Sequence, residues 1–287
     1  ESMVKSPLRK FGDIAETTGL GLSIFTFGGF GIPMWHDSLC FDENTIIYMS
    51  DGSCKKISDV NIGDYLINTN KVLATIKVNN IKQIYKFKNI LVKGDHLIYH
   101  NNKWSRIADI SDSEKILDYN GNIVCLVTEN GFININNCIF KDYLDTHNPH
   151  INKTVRKIVN NNLNSNNNNQ TGCTDLLAGF PKYTKVTGKI KGHVSIGIGK
   201  VTEYKYKNTI LSGNIIVKEN NEWIRVADSK YSFLLGKNTE EYVNYITEDN
   251  IILINDRIIG RDFVEIGDPF FNSQLDAIVD KLIENLE

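Results

Sequence analysis

From Cys40 to about Asp145, apolar and polar positions alternate in short runs bounded by Gly, Asn and Asp. Runs such as Ile46–Met49, Val72–Val78, Gln83–Phe87, Ile90–Tyr99, Ile123–Thr128 and Phe132–Ile139 are short and bounded by turn residues, as expected of strands. Ser50-Asp51-Gly52-Ser53 carries the Asp-Gly signal of a hairpin turn. No stretch here repeats apolar residues at helical spacing over three turns. The pattern predicts an all-β unit of hairpins with closed edges. The C-terminus reads differently. Leu275, Ile278, Val279, Leu282, Ile283 and Leu286 form one helical stripe, with Ser273 as N-cap and Asp276 in the first turn.

The strand pattern occurs twice. NNKWSRIAD at Asn101–Asp109 returns as NNEWIRVAD at Asn220–Asp228, and the segment Thr128–Asp145 returns at Thr247–Glu265. Trp104 pairs with Trp223, Arg106 with Arg225, Asn136 with Asn255, and Asp142 with Asp262 or its neighbour. Upstream, KVLATIK at Lys71–Lys77 matches KVTGKIK at Lys185–Lys191. The second copy lacks a counterpart of the opening CFDENT. Five segments follow: 1–39, apolar and Gly-rich; 40–147, the first β unit; 148–182, an Asn-rich linker too polar to offset its ordering entropy; 183–266, a degenerate repeat; and 267–287, the amphipathic helix.

Composition narrows the chemistry. A net charge of −2 gives no electrostatic footprint for nucleic acid. The five cysteines, Cys40, Cys54, Cys125, Cys138 and Cys173, include no CxxC pair, which excludes a zinc knuckle and favours a reducing compartment. Apart from Cys40 they read as buried or inert thiols, and Trp104 and Trp223 as core anchors. His147 and His150 have HxxH spacing with no acidic or cysteine companion close by, so no metal or other cofactor is expected. Thr17–Trp35 runs 19 residues without a charge, enough to reach across a bilayer core, but its five glycines and Pro33 make a poor helix. It reads as a lead-in packed on the β unit, or as a segment that docks on a membrane or a protein. The terminal helix is the other expected protein contact, docked on the chain's own β unit or on a partner.

Three features carry a family resemblance: Cys40 before an acidic strand-forming segment, SDGSCKKISDVNIGDYL, and GDHLIY followed by KW-x-R-x-AD. They resemble the Hint family of Hedgehog autoprocessing domains and inteins, in detail the short Hint domains of large DNA viruses. The resemblance covers Cys40–Asp145 and, in degenerate form, the second copy. It implies that the Cys40 thiolate attacks the Leu39–Cys40 peptide bond to form a thioester, with His96 donating to the departing nitrogen.

This sequence departs from the family pattern in four places. Lys93 stands where the family has Thr, three residues before the histidine. In the second copy Ser212 keeps a hydroxyl but Ile215 replaces the histidine. Where an intein ends in His-Asn the chain reads Phe140-Lys141-Asp142-Tyr143, and the later His147-Asn148 is followed by Pro149. Splicing is therefore not expected, and two readings remain. One is a module that cleaves before Cys40. The other is a non-catalytic scaffold, a structural or interaction protein such as a minor virion component.

Overall fold

A computed structural model describes residues 39–144, 163–164 and 177–263. Among them the chain is all β, with helical geometry only in single 3-10 turns. The C-terminal helix, Thr17–Trp35, His147, His150 and Cys173 lie outside the described residues.

One ten-stranded antiparallel sheet runs through both copies. In the first copy, Phe41–Asp42 lies between Ile90–Val92 and Gly121–Thr128, and Gly121–Thr128 pairs with the long strand Asn70–Ile81. In the second, Tyr242–Thr247 lies between Phe180–Pro181 and Ile190–Ile196. The sheet passes from copy to copy where Asn70–Ile81 pairs with Ile190–Ile196. Cys125 faces Ile76 as Asn244 faces Val194, and Ile76 and Val194 face each other. The flanking pairs, Lys77 with His193 and Thr75 with Ser195, mirror one another. A local two-fold axis thus passes between Ile76 and Val194, and each copy covers the other's sheet edge.

This register corrects two alignments made from sequence. The counterpart of Lys71–Lys77 is Lys189–Ser195, most of it in the strand Ile190–Ile196, not Lys185–Lys191, because burial on alternate positions sets the pairing and matching lysines do not. The opening stretch does have a counterpart. Phe41 faces Val124 as Phe180 faces Val243, so Gly179-Phe180-Pro181 stands for Cys40-Phe41-Asp42. Thr45 N–H donates to Asp42 O and Thr184 N–H to Pro181 O, each at 2.9 Å. The second unit's first strand therefore falls inside the stretch 148–182 read as linker. Within that stretch Asn164 also donates to Trp223 O and accepts from Trp223 N–H, at 2.8 and 2.7 Å.

The motif Ile/Val-Ser/Ala-Asp folds three times into the same 3-10 turn, at Ile57–Asp59, Ile107–Asp109 and Val226–Asp228. Each turn holds a neighbouring loop through backbone N–H groups. Ile57 donates to Thr45 O and Ser58 to Glu43 O; Ile107 donates to His96 O and Ala108 to Gly94 O; Val226 donates to Ile215 O and Ala227 to Gly213 O. In the first unit one turn fixes the segment after Cys40 and another fixes the His96 loop.

The core is one apolar cluster spanning the first copy and the junction, taking in Val194, Ile196, Tyr242 and Phe263, beside a smaller cluster in the second copy. Trp104 and Trp223 are half-buried, not core anchors. Each lies on a sheet-edge strand with a cation over its ring, Lys141 Nζ at 4.5 Å and the Arg261 guanidinium at 4.2 Å. Cys54 is exposed, contrary to expectation, because it sits on the short hairpin Ile46–Tyr48/Cys54–Lys56; Cys125 and Cys138 are buried as expected.

Candidate functional site

Leu39, Cys40 and His96 come together inside the first unit, each at most 2 % exposed. The strand after Cys40 is anchored at both edges. Lys93 N–H donates to Cys40 O at 2.9 Å, and Tyr119 OH donates to Asp42 Oδ2 at 2.7 Å. His96 is enclosed by aromatic rings, Phe41 at 4.4 Å between centroids and Phe140 at 5.6 Å. Its Nε2 lies 2.9 Å from Lys141 O; a carbonyl only accepts, so this nitrogen carries the hydrogen. Nδ1 is buried and has no hydrogen-bond partner.

Burial pulls the His96 pKa down to about 4. The Lys141 carbonyl opposes this, the Arg106 guanidinium adds to it, and the Leu39 backbone oxygen opposes it weakly. Leu39 O is therefore close enough to feel the imidazole without making a proper hydrogen bond to Nδ1. At neutral pH the ring is uncharged and presents a vacant base to the peptide before Cys40.

Sequence reasoning gave Cys125 no role beyond that of a buried or inert thiol, yet its side chain hydrogen-bonds that of Cys40. Burial, chiefly, and then this contact push its thiol well above the ordinary cysteine range, with the Asp142 carboxylate adding to the rise. The signal was present in the sequence only as a cysteine in a strand-forming run, and its pairing depends on strand register.

Lys93 takes no part in the chemistry through its amine, which turns away to donate to Gln83 O at 3.2 Å. The second copy shows what a hydroxyl does there. Ser212 Oγ accepts from Gly179 N–H at 2.9 Å, the amide equivalent to that of Cys40, and from Ile215 N–H at 3.2 Å. Gly179 itself leaves no room for a thiol, since a Cβ there would lie 2.7 Å from Val243 O. Asp95, beside His96, is exposed, and its carbonyl accepts from Arg106. Among the described residues no cluster of three His, Cys, Asp or Glu side chains could hold a metal.

No protein-family profile matches the sequence, and no curated protein matches it. Solved structures do match. The chain is similar to a bacterial intein-like domain from Clostridium thermocellum, with 12 % identity and a TM-score of 0.32. It is also similar to the gp41-1 intein, with 15 % identity and a TM-score of 0.30. Each match covers 36 % of this chain and 98 % of the other.

Proposed function

We propose that the chain is a Hint-type autoprocessing module that cleaves the Leu39–Cys40 bond without splicing. The Cys40 sulfur attacks the Leu39 carbonyl carbon while His96 Nδ1 takes the thiol proton. The carbon–nitrogen bond then breaks, and the same proton passes to the departing Cys40 amine, leaving a thioester. An imidazolium with its pKa near 4 is a stronger acid than ordinary histidine, which suits protonation of an amide nitrogen. Water or an external nucleophile opens the thioester. The observation that carries this reading is the buried, unbonded Nδ1 of His96 beside the peptide that precedes a buried cysteine.

A second reading, a non-catalytic structural or interaction scaffold such as a minor virion component, is favoured by one observation. The Lys93 amine is bonded to Gln83 O, and no hydroxyl stands where Ser212 holds the equivalent amide in the second copy.

Intact-mass measurement of the wild type, Cys40→Ala and Lys93→Ser, with and without hydroxylamine, separates the two. Cleavage before residue 40 in the wild type, faster in Lys93→Ser and absent in Cys40→Ala, is expected. A wild type and Lys93→Ser that both stay whole under every condition would leave the scaffold reading.

A further inference from the structure

The ladder between Phe41–Asp42 and Gly121–Thr128 sets Phe41 opposite Val124 and Asp42 opposite Ile123. The next rung places Cys40 opposite Cys125. Glu43 N–H donates to Asn122 O, so that pair is hydrogen-bonded. By the alternation of antiparallel rungs Phe41–Val124 is hydrogen-bonded too, and Cys40–Cys125 falls on a non-hydrogen-bonded rung. Such rungs bring Cα atoms to about 4.5 Å, with side chains on the same face, within the range a disulfide spans. Both residues are fully buried, so the two side chains share one enclosed site.

We infer that Cys40 and Cys125 close a disulfide on exposure to a peroxide, a reversible modification that withholds the cleaving thiol. Its consequence for cleavage rests on the autoprocessing reading; the formation of the bond does not. The Cys40 sulfur attacks one oxygen of hydrogen peroxide, the O–O bond breaks, and water leaves behind a sulfenic acid. Cys125 then gives up its proton and attacks the Cys40 sulfur, the S–O bond breaks, and a second water departs. Two thiols lose two electrons and two protons, and the peroxide takes up both.

The division of roles follows from the site. Burial keeps Cys125 in its protonated form, so it acts as the resolving thiol, while Cys40 directly follows Leu39, whose carbonyl lies by the His96 imidazole. The bond needs no strand to move, because the rung is already in register. The other described cysteines lack this arrangement. Cys54 is exposed at the end of its hairpin strand opposite Tyr48, and Cys138 faces Ile135.

The test uses the full chain, reduced and then treated with hydrogen peroxide, alkylated in denaturant and digested without reductant. A peptide joining Cys40 to Cys125, about 2 Da lighter than its two thiol parts and parted by dithiothreitol, is expected. In Cys125→Ser the link is absent, and Cys40 proceeds to sulfinic acid that thiols do not restore. Oxidised wild type does not cleave until a thiol is added. A wild-type Cys40 that remains a thiol, over-oxidises, or links to Cys54 or Cys138 overturns the inference, whether or not the variant folds. A linked chain that never cleaves after reduction leaves the disulfide standing and overturns the autoprocessing reading alone.

Discussion

His96 sits in surroundings far from what its type alone suggests. A histidine in water is half charged near pH 6.5, whereas here enclosure by Phe41 and Phe140 keeps it neutral down to about pH 4. The unfolded chain therefore binds a proton that the folded chain refuses across that window. Stability is undiminished above about pH 6.5 and falls as the pH drops towards 4, by about 3 kcal/mol in all. Urea unfolding at a series of pH values should show the midpoint dropping across this range in the wild type and much less in His96→Gln. An equal slope in the two would place the acid sensitivity elsewhere. Both Cys40 and His96 were legible as a candidate pair from sequence. Cys125 was not, because nothing local distinguishes a cysteine that faces another across a ladder from one that faces leucine.

At the scale of elements, a single device closes both copies. Thr128 N–H donates to Asp142 Oδ2 at 2.8 Å, and Thr247 N–H to Asp262 Oδ2 at 2.6 Å, so each carboxylate ties the end of a long strand to the chain that leaves the unit. Asp142 Oδ1 also accepts from Leu144 N–H at 2.8 Å. Asp142→Ala would strand two buried donors and is expected to cost about 3 kcal/mol in chemical denaturation, with Asp142→Asn losing less because it retains an acceptor. The repeat in sequence paired Asp142 with Asp262 or its neighbour, and the matching bonds to Thr128 and Thr247 settle on Asp262. Turn chemistry was equally legible. Asn101–Asn102 and Asn220–Asn221 all adopt positive φ at matched hairpin tips, as do Asn136–Asn137 and Asn255–Asp256. The missed opening strand of the second copy shows the limit of such reading. Only Phe and Thr survive from CFDENT in GFPKYT, and a strand of two residues gives no periodicity to detect.

The described residues form a fused pseudo-dimer, joined along one strand pair on a local two-fold axis. Ile76 and Val194 lie on that axis with no solvent exposure. Val194→Asp sets an unpaired charge against Ile76 and is expected to cost about 3 kcal/mol or more. A urea midpoint within error of wild type would mean that the copies do not depend on their shared sheet. Acid should weaken the same junction. Burial, first, and then the facing Lys77 hold the His193 pKa below its ordinary value, with Lys182 acting in the same sense and Glu241 against it.

The sequence by itself determined the class of strands, the existence of two copies, the residues at the turns and the two side chains of the candidate cleavage chemistry. Each of these is local: a short apolar run between turn residues, a repeated string, a residue suited to positive φ, a cysteine leading a strand. Tertiary structure alone decided the rest. It set Gly179 in the place of Cys40, faced Cys125 with Cys40, turned the Lys93 amine to Gln83 and ran one sheet through both copies. These depend on which strands pair and in what register, and register is settled by burial summed over strands far apart in the chain.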